Sequence, residues 1–547
     1  MNRDPRATGA ACFVVALIGA PAAGLFLRSL RGDGGLTAAH WLAWLASSEL
    51  GAALWRTAWI SAASAALAVA AACPLALLVA RSRFPGRALL RVSAVGPALM
   101  SQTLAAIAWV VLADPGAGLL NLAARRSGLG SPLNVFTPCG LVLVTAAMCL
   151  PTAYLLAEAL FGASSAELED AARVCGAPAA RAWLTVSLPE ALPGLAAAGL
   201  LCFCEAAVMF SVQGVIALPA NLQTVTTLVY TGLSLGLTDP GDAAALSLLL
   251  MLLTLGALAA QQVFSARAAA SMRTRPGAPR PARLTGARAA AACGVALAAA
   301  AGLLVAPVAT LAARSLSAWG AWNPGALTLD AYRRVLAEPE LRRGLFHSLF
   351  LGAACAGACW WLAFPAARLV FRLSSPLRRG AHAAAVAPLG WSGLLLGAAF
   401  LVSFARTPLY GTLWLLLLAL VARELPIAFK SAQAGLAGVP SELEAQAYVC
   451  GADGRTVARS ILAPLTRAVR AAAAAAVFLA AFREIEASSL LAGHGYESFG
   501  YNVFGLLQAG RYQELGALAV IGSAASLAAA APFLRELGAE AFTGGGS

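Results

Sequence analysis

The chain has 547 residues, of which 60% are hydrophobic and only 12% charged, with a mean hydropathy of +0.77. So little charge cannot cover the surface of a soluble protein, and apolar runs of ~20 residues recur from end to end, as in a polytopic membrane protein. The net charge of +13 sits on arginines between apolar runs rather than on a basic face, which sets nucleic-acid binding aside and fits arginine at cytoplasmic helix ends.

In the first half, membrane helices are predicted near Ala10–Leu30, Trp55–Ala80, Leu89–Ala113, Pro138–Phe161, Leu192–Ile216 and Ala243–Phe264. In the second they fall near Ala289–Ala312, Leu345–Phe371, Ala381–Phe404, Tyr410–Ala434, Ala468–Leu491 and Leu515–Leu534. The expected fold is all-α and integral to the membrane: about twelve helices in two tandem six-helix repeats, 1–266 and 289–547, joined by a linker, 267–288. The start, with Arg3 and Arg6 ahead of the run Ala10–Leu27 and small residues near Ala20–Ala23, has the form of a signal peptide. Because further spans follow, it is read as a retained first helix.

Arginine orients these runs. Arg81, Arg83 and Arg87 fall between helices two and three, Arg267, Arg273, Arg275, Arg280, Arg283 and Arg288 between six and seven, and Arg372, Arg378 and Arg379 between eight and nine. All land on one side, which the positive-inside rule makes cytoplasmic, with both termini. The opposite loop 218–239 has no Lys or Arg; the long loop 314–343, with Arg333, Arg334, Arg342 and Arg343, is an exception. The Arg-, Pro-, Gly- and Ala-rich 267–288 reads as a flexible linker.

The eleven cysteines form neither a disulfide framework nor a zinc pattern. Cys73, Cys149, Cys202, Cys204 and Cys293 lie in apolar runs, where a thiol acts as a small hydrophobe, Cys355 and Cys359 have no matching second pair, and His40, His347, His382 and His494 are scattered. No metal site is expected.

The halves repeat. A shift of 291 superimposes Leu36-Thr37 on Leu327-Thr328, Glu49-Leu50 on Glu340-Leu341, and Pro74, Arg81, Pro85, Arg87 and Pro97 on Pro365, Arg372, Pro376, Arg378 and Pro388. A shift of 275 superimposes Leu150-Pro151 on Leu425-Pro426, Glu167-Leu168-Glu169 on Glu442-Leu443-Glu444, Val174-Cys175-Gly176-Ala177 on an identical Val449-Cys450-Gly451-Ala452, and Pro189 on Pro464. Matched prolines and glycines imply matched backbone. An even helix number per half sets both repeats the same way round in the membrane, with the substrate path expected at their interface.

The loops 162–193 and 435–466, on the cytoplasmic side after the fourth helix of each half, are too long for plain turns. Each reads as two short helices. Ser441…Glu444 has capping-box spacing, as Ser164…Glu167 does in the first loop, and Gly176 and Gly451 suit the left-handed residue that ends a helix. Ala171, Ala172 and Ala447 keep one face small. Read by itself, each loop is also compatible with an ordinary interfacial hairpin; the paired occurrence favours a function.

The stretch Glu169-Asp170-Ala171-Ala172…Gly176 with Leu188-Pro189, and the second copy Glu444-Ala445-Gln446-Ala447…Gly451 with Pro464, resemble the "EAA" loop of ABC importer permeases. Asp170 stands where glutamate is usual, Ala445-Gln446 replaces Glu-Ala, and the leucine before Pro464 is missing. The resemblance spans nearly the whole chain and is closest to permeases with both halves fused, ferric-iron importers first, on 327–336 and 483–512, and thiamine or phosphonate importers second. It implies a bacterial inner-membrane subunit, two cytoplasmic ATPases that bind ATP and magnesium and dock on the two loops, and an external substrate-binding protein, all within membrane lipid.

The chain itself carries no phosphate-cradling motif: around Lys430-Ser431, Glu424 and Phe429 occupy the glycine positions. Arg483, Glu484 and Glu486 fall within the predicted eleventh helix and Glu205 within the fifth, and Glu484 matches Met209 under the 275 shift. Such residues either line a translocation path or gate, or form a buried pair linking helices. Trp41, Trp44, Trp319, Trp322 and Tyr332 fit an interfacial aromatic belt. An ion-driven secondary carrier, the alternative transporter class, does not call for two long helical loops; a membrane enzyme would need a catalytic constellation that is not found.

Overall fold

The computed structural model describes residues 5–32, 35–116, 118–128, 130–163, 166–234, 239–272, 281–317, 327–372, 378–493 and 495–543. Ser164, Arg273, Arg275, Arg280, Trp319, Trp322, Pro376 and His494 lie outside the described residues, as do the side chains of Glu167 and Arg372.

The chain is almost entirely helical. Its principal elements in the first repeat are α1 (Pro5–Ser29), α2 (Ala39–Ala46), α3 (Ser48–Arg81), α4 (Arg87–Val95), α5 (Gln102–Ala113), α6 (Pro138–Ala163), α7 (Ala166–Val174), α8 (Leu188–Val208), α9 (Phe210–Ile216) and α10 (Pro240–Met272). In the second they are α11 (Gly286–Leu316), α12 (Asp330–Ala337), α13 (Pro339–Arg372), α14 (Arg378–Val386), α15 (Gly393–Phe404), α16 (Leu413–Ala437), α17 (Ser441–Val449), α18 (Arg467–Phe482), α19 (Ser488–Leu491), α20 (Phe499–Gln508) and α21 (Tyr512–Thr543). The bounds recur. Helices α12 to α15 begin and end 291 residues after α2 to α5, and α17 begins and ends 275 after α7.

Among the described residues eight helices are long and apolar enough to cross a membrane, or up to eleven if each sharply bent pair is one span. The protein is thus multi-pass, though the count falls short of twelve. The predicted span 410–434 is the one missing: α16 is long enough, but it carries Arg423, Glu424 and Lys430. Predicted spans three and nine are each broken. Pro97 and Pro388, matched in the repeat, sit in the 3-10 turns Gly96–Leu99 and Ala387–Gly390, where a ring without an N–H interrupts the helical ladder. The second pair, Arg378–Gly390 and Gly393–Phe404, bends by 115°.

Three further expectations change. The predicted fifth span stops at Val208, breaks at Met209 (φ −76°, ψ 76°) and resumes as α9. The predicted eleventh stops at Phe482, so Arg483, Glu484 and Glu486 lie outside helix, between α18 and α19. Nor is the expected linker a free tether at its ends: α10 continues to Met272, and Ala282–Arg283 pairs in parallel with Ser82–Arg83.

Contacts divide the chain into two units, one of Met1–Leu42, Tyr230–Ala245 and Leu329–Ser547, the other of Ala43–Val229 and Leu246–Thr328. Each unit takes its first long helix from the other sequence repeat. In the first, α1 packs on α13, α14 and α15, with Val14 and Ile18 in the same core as Phe400, Leu415 and Phe429. In the second, α11 packs on α4 and α5 while α3, α6 and α8 pack together.

Candidate functional site

The loop between α6 and α8 and its counterpart between α16 and α18 close in the same way. After α7, Gly176 takes φ +88°, its N–H donates to the Arg173 carbonyl (2.9 Å), and the Ala177 N–H donates to the Ala172 carbonyl (3.0 Å). After α17, Gly451 takes φ +84°, its N–H donates to Tyr448 (3.0 Å), and the Ala452 N–H to Ala447 (2.9 Å). This is the paired closure that satisfies the last carbonyls of a helix, and it requires a residue at positive φ, hence glycine.

The capping box at Ser441 does not form. The helix starts at Ser441 itself, its preceding residue Pro440 offers no side-chain cap, and the Ser441 hydroxyl turns to Glu442 (3.5 Å). Glu444 is drawn away by a stronger partner. It is buried beside Arg368 of α13 (3.5 Å), whose guanidinium also donates to the Tyr448 hydroxyl (2.6 Å) and the Gly454 carbonyl (3.1 Å). Glu169 is held likewise: it accepts from Arg81 at the end of α3 (2.9 Å) and from the Ser187 hydroxyl. Both motif glutamates therefore face inward, tied to the second long helix of their own repeat. The ties differ in detail, since Ser187 corresponds to Leu462 and Arg173 to Tyr448. Asp453, not read from the sequence, caps the next turn of the second loop, where the Thr456 hydroxyl and N–H hold its carboxyl below the usual range.

The loops expose a mixed surface, with apolar residues at the tips beside charged ones such as Asp170, Arg173 and Glu442. Asp170, Ala171 and Ala445 are exposed, Ala172 and Ala447 half-buried, and Val174 and Val449 at the two tips are each 88% exposed beside exposed Cys175 and Cys450. Pro189 and Pro464 come just after the π-helical turns Trp183–Ser187 and Ala458–Leu462, where the widened turn accommodates a residue without an N–H.

The charged residues of the eleventh predicted span form a buried cluster. Arg423 of α16 donates to Glu484 (2.7 Å) and lies 3.1 Å from Glu486 and 3.6 Å from Glu424. Glu484 also accepts from the N–H groups of Ala487 (2.6 Å) and Ser488 (3.1 Å) and so caps α19, while Glu486 accepts from the Gly393 N–H at the start of α15 (2.9 Å). The cluster thus ties three helices to the segment that interrupts the span, and Arg483 directly follows α18. In the first repeat Met148 stands for Arg423, Met209 for Glu484 and Cys149 for Glu424, while Ser211 stands for Glu486. Both partners of the ion pair are exchanged together. Glu205 stands apart from this pattern, accepting from the Thr152 hydroxyl (3.0 Å). Arg368 and Arg423 were not singled out in the sequence, and Arg81 was read there only as a marker of the cytoplasmic side and of the repeat. Among the described residues no group of three or more His, Cys, Asp or Glu is placed to hold a metal ion.

The chain is multi-pass and helical with two identically closed loops, and a curated relative is the membrane subunit of a transporter. The chain is 26% identical over 473 residues, 84% of its length and 80% of the relative's, to "Probable ABC transporter permease protein y4fN" of Sinorhizobium fredii. Among solved structures it is similar to a bacterial ABC transporter that imports the acidic polysaccharide alginate (17% identity, TM-score 0.37, 46% of this chain and 88% of that one). It is also similar to an alginate ABC transporter in complex with its pentasaccharide-bound periplasmic protein (17%, TM-score 0.38, 47% and 90%). No protein-family profile matches the chain.

Proposed function

We propose that the chain is the fused permease of an ATP-driven, binding-protein-dependent ABC importer in a bacterial inner membrane, with α7 and α17 each docking one cytoplasmic ATPase subunit. The observation that carries this is the pair of loops. Two segments 275 residues apart share the same tip sequence, the same closing bonds and the same exposed valine, while each anchors its glutamate to its own repeat. An exposed apolar tip on a rigidly anchored stem is suited to press into a partner and to pass its motion on, and two like tips suit two copies of one partner. ATP and magnesium belong to that partner. The segments around Met209 and Arg483–Glu486, where spans are interrupted, and Glu205 are proposed to flank the translocation path. A binding protein outside delivers the substrate, and both termini face the cytoplasm.

The substrate is proposed to be ferric iron, with thiamine or a phosphonate as alternatives. That choice rests on the sequence resemblance alone, because Glu484 and Glu486, which would suit a hard cation, are engaged by Arg423 and backbone N–H groups.

The test is purification from the native host in detergent, with ATP hydrolysis of the complex as readout. Val174→Asp with Val449→Asp alters only exposed side chains, so the fold survives. The wild-type chain should bring down an ATPase that hydrolyses ATP, and the double variant should lose it. A wild-type chain that carries no ATPase overturns the proposal in favour of an ion-driven carrier.

A further inference from the structure

We propose that the pocket at the arginine-rich end of α4 binds the phosphate headgroup of an anionic phospholipid. The proposal rests on the reading of that side as cytoplasmic and adds a ligand that the importer reading does not call for.

A cavity of about 440 Å³ opens between α3, α4, α6 and the segment leading into α11. Its floor and walls combine the stems of Ala80, Leu155 and Ala159 with the charged groups of Arg87, Arg91 and Glu158, and Pro281 closes one side. Arg91 and Glu158 are spent on each other: the guanidinium grips the carboxylate through two nitrogens. Arg87 has no acidic partner among the described residues. It stands at the first position of α4, a nine-residue helix whose start has no side-chain cap, so the positive end of the helix adds to its charge.

A second, independent observation points the same way. Pro281 leads into the two-residue strand Ala282–Arg283, which pairs with Ser82–Arg83 so that Arg83 and Arg283 are register partners. Both are exposed, and neither has an acidic partner among the described residues. Like charges placed opposite one another repel, and an anion between them would relieve that repulsion. Arg87 thus lines the cavity, and Arg83 and Arg283 lie on the strand pair that adjoins its lining residue Pro281.

The surroundings favour a lipid over a free anion. The outward face of α4 carries exposed Leu89 and Val92 beside these arginines, and Leu155 is exposed on the neighbouring helix. An amphipathic helix with apolar residues outward and arginines at one end sits at the membrane boundary, where acyl chains cover the leucines and the phosphate meets the guanidinium groups. The pocket also borders Gly162, one turn before α7, so an occupant would steady the stem of the first loop. The second repeat lacks the acid of this pocket: Gln433 stands for Glu158 and Lys430 for Leu155.

The full-length chain, purified in neutral detergent, is titrated with phosphatidylglycerol and followed by native mass spectrometry and thermal unfolding. Phosphatidylcholine with the same acyl chains and inorganic phosphate serve as the other two arms. Phosphatidylglycerol should be retained and should raise the unfolding temperature. Arg87→Gln with Arg283→Gln should weaken retention roughly twenty-five-fold, since each surface arginine contributes a factor of about five toward an anionic headgroup. Arg87→Lys with Arg283→Lys should keep it, which separates loss of charge from loss of fold. Equal retention of phosphatidylglycerol by wild type and the Gln variant, or equal retention of phosphatidylcholine, overturns the proposal. Equal stabilisation by inorganic phosphate assigns the pocket to a free anion and overturns the lipid. No ATPase enters the measurement, so its failure leaves the docking reading untouched, and failure of docking leaves this site standing.

Discussion

Replacing Arg423 by methionine tests the exchange seen between the repeats. The substitution removes the cation 2.7 Å from Glu484 and 3.1 Å from Glu486, both nearly fully buried. Breaking a buried ion pair from one side typically costs ~3–5 kcal/mol, because the remaining charge stays desolvated without its partner. Glu484 keeps its bonds from Ala487 and Ser488, and Glu486 keeps the Gly393 N–H, so the lower end, ~3 kcal/mol, applies. Adding Glu484→Met recreates the pair that the first repeat uses, Met148 with Met209. It forfeits the cap on α19, about 1 kcal/mol, but removes a stranded carboxylate. The double variant should therefore be more stable than Arg423→Met alone, with a coupling of about 2 kcal/mol between the sites. Denaturant unfolding of the four detergent-purified proteins of the cycle measures it. Additive losses would refute the reasoning and show that the charges act independently.

Three other outcomes follow from single contacts. A Cβ at Gly500 would lie 2.2 Å from the Glu484 carbonyl oxygen and 3.0 Å from the Ile485 Cα, both backbone, so Gly500→Ala should cost about 1–3 kcal/mol, whereas Gly505→Ala, with open space around it, should not destabilise; both are read by thermal unfolding. Gly176→Ala or Gly451→Ala places a side chain at positive φ, costing ~1–2 kcal/mol locally, and should raise amide exchange in the affected loop while leaving the long helices protected. His40 lies outside the long helices, with Nδ1 2.8 Å from Asp242 and Nε2 3.3 Å from the Arg31 carbonyl. Burial pulls its pKa down, but Asp242, the Arg31 carbonyl and Asp239 together leave it above the ordinary 6.5. The contact therefore stabilises fully below about pH 6.5 and fades as pH rises through the raised value. The gap in unfolding temperature between wild type and His40→Phe should be widest in mild acid and narrow in alkali; a gap that widens with pH contradicts the pairing.

Backbone-determined features were legible in the sequence, and features set by distant partners were not. Gly176 and Gly451 end their helices as read, because only glycine takes that conformation cheaply, and the matched prolines mark matched geometry, although Pro97 and Pro388 interrupt spans that hydropathy alone runs together. The capping box failed because Ser441 and Glu444 have the right spacing, but Arg368, 76 residues away in the chain, competes for the carboxylate. The break at Met209 leaves no local trace, since the apolar run continues across it; only the charges at Arg483, Glu484 and Glu486 hinted that its counterpart was not ordinary helix. Arg81 and Arg368 looked like any arginine near the end of a membrane span, and only tertiary structure distinguishes an anchor for a loop from a marker of topology.

The central claim is that the tips of α7 and α17 touch an ATPase, and the chain's own thiols can report it. Cys175 and Cys450 are exposed beside the two valines, whereas the other exposed cysteines, Cys12 and Cys139, can be changed to serine. Native membranes of that variant, treated with a short thiol-to-amine cross-linker, should yield a chain joined to an ATP-hydrolysing subunit through each tip, and Cys175→Ser with Cys450→Ser should abolish both products. Membranes in which neither thiol reaches an ATPase, although both react with a small maleimide, would contradict the account.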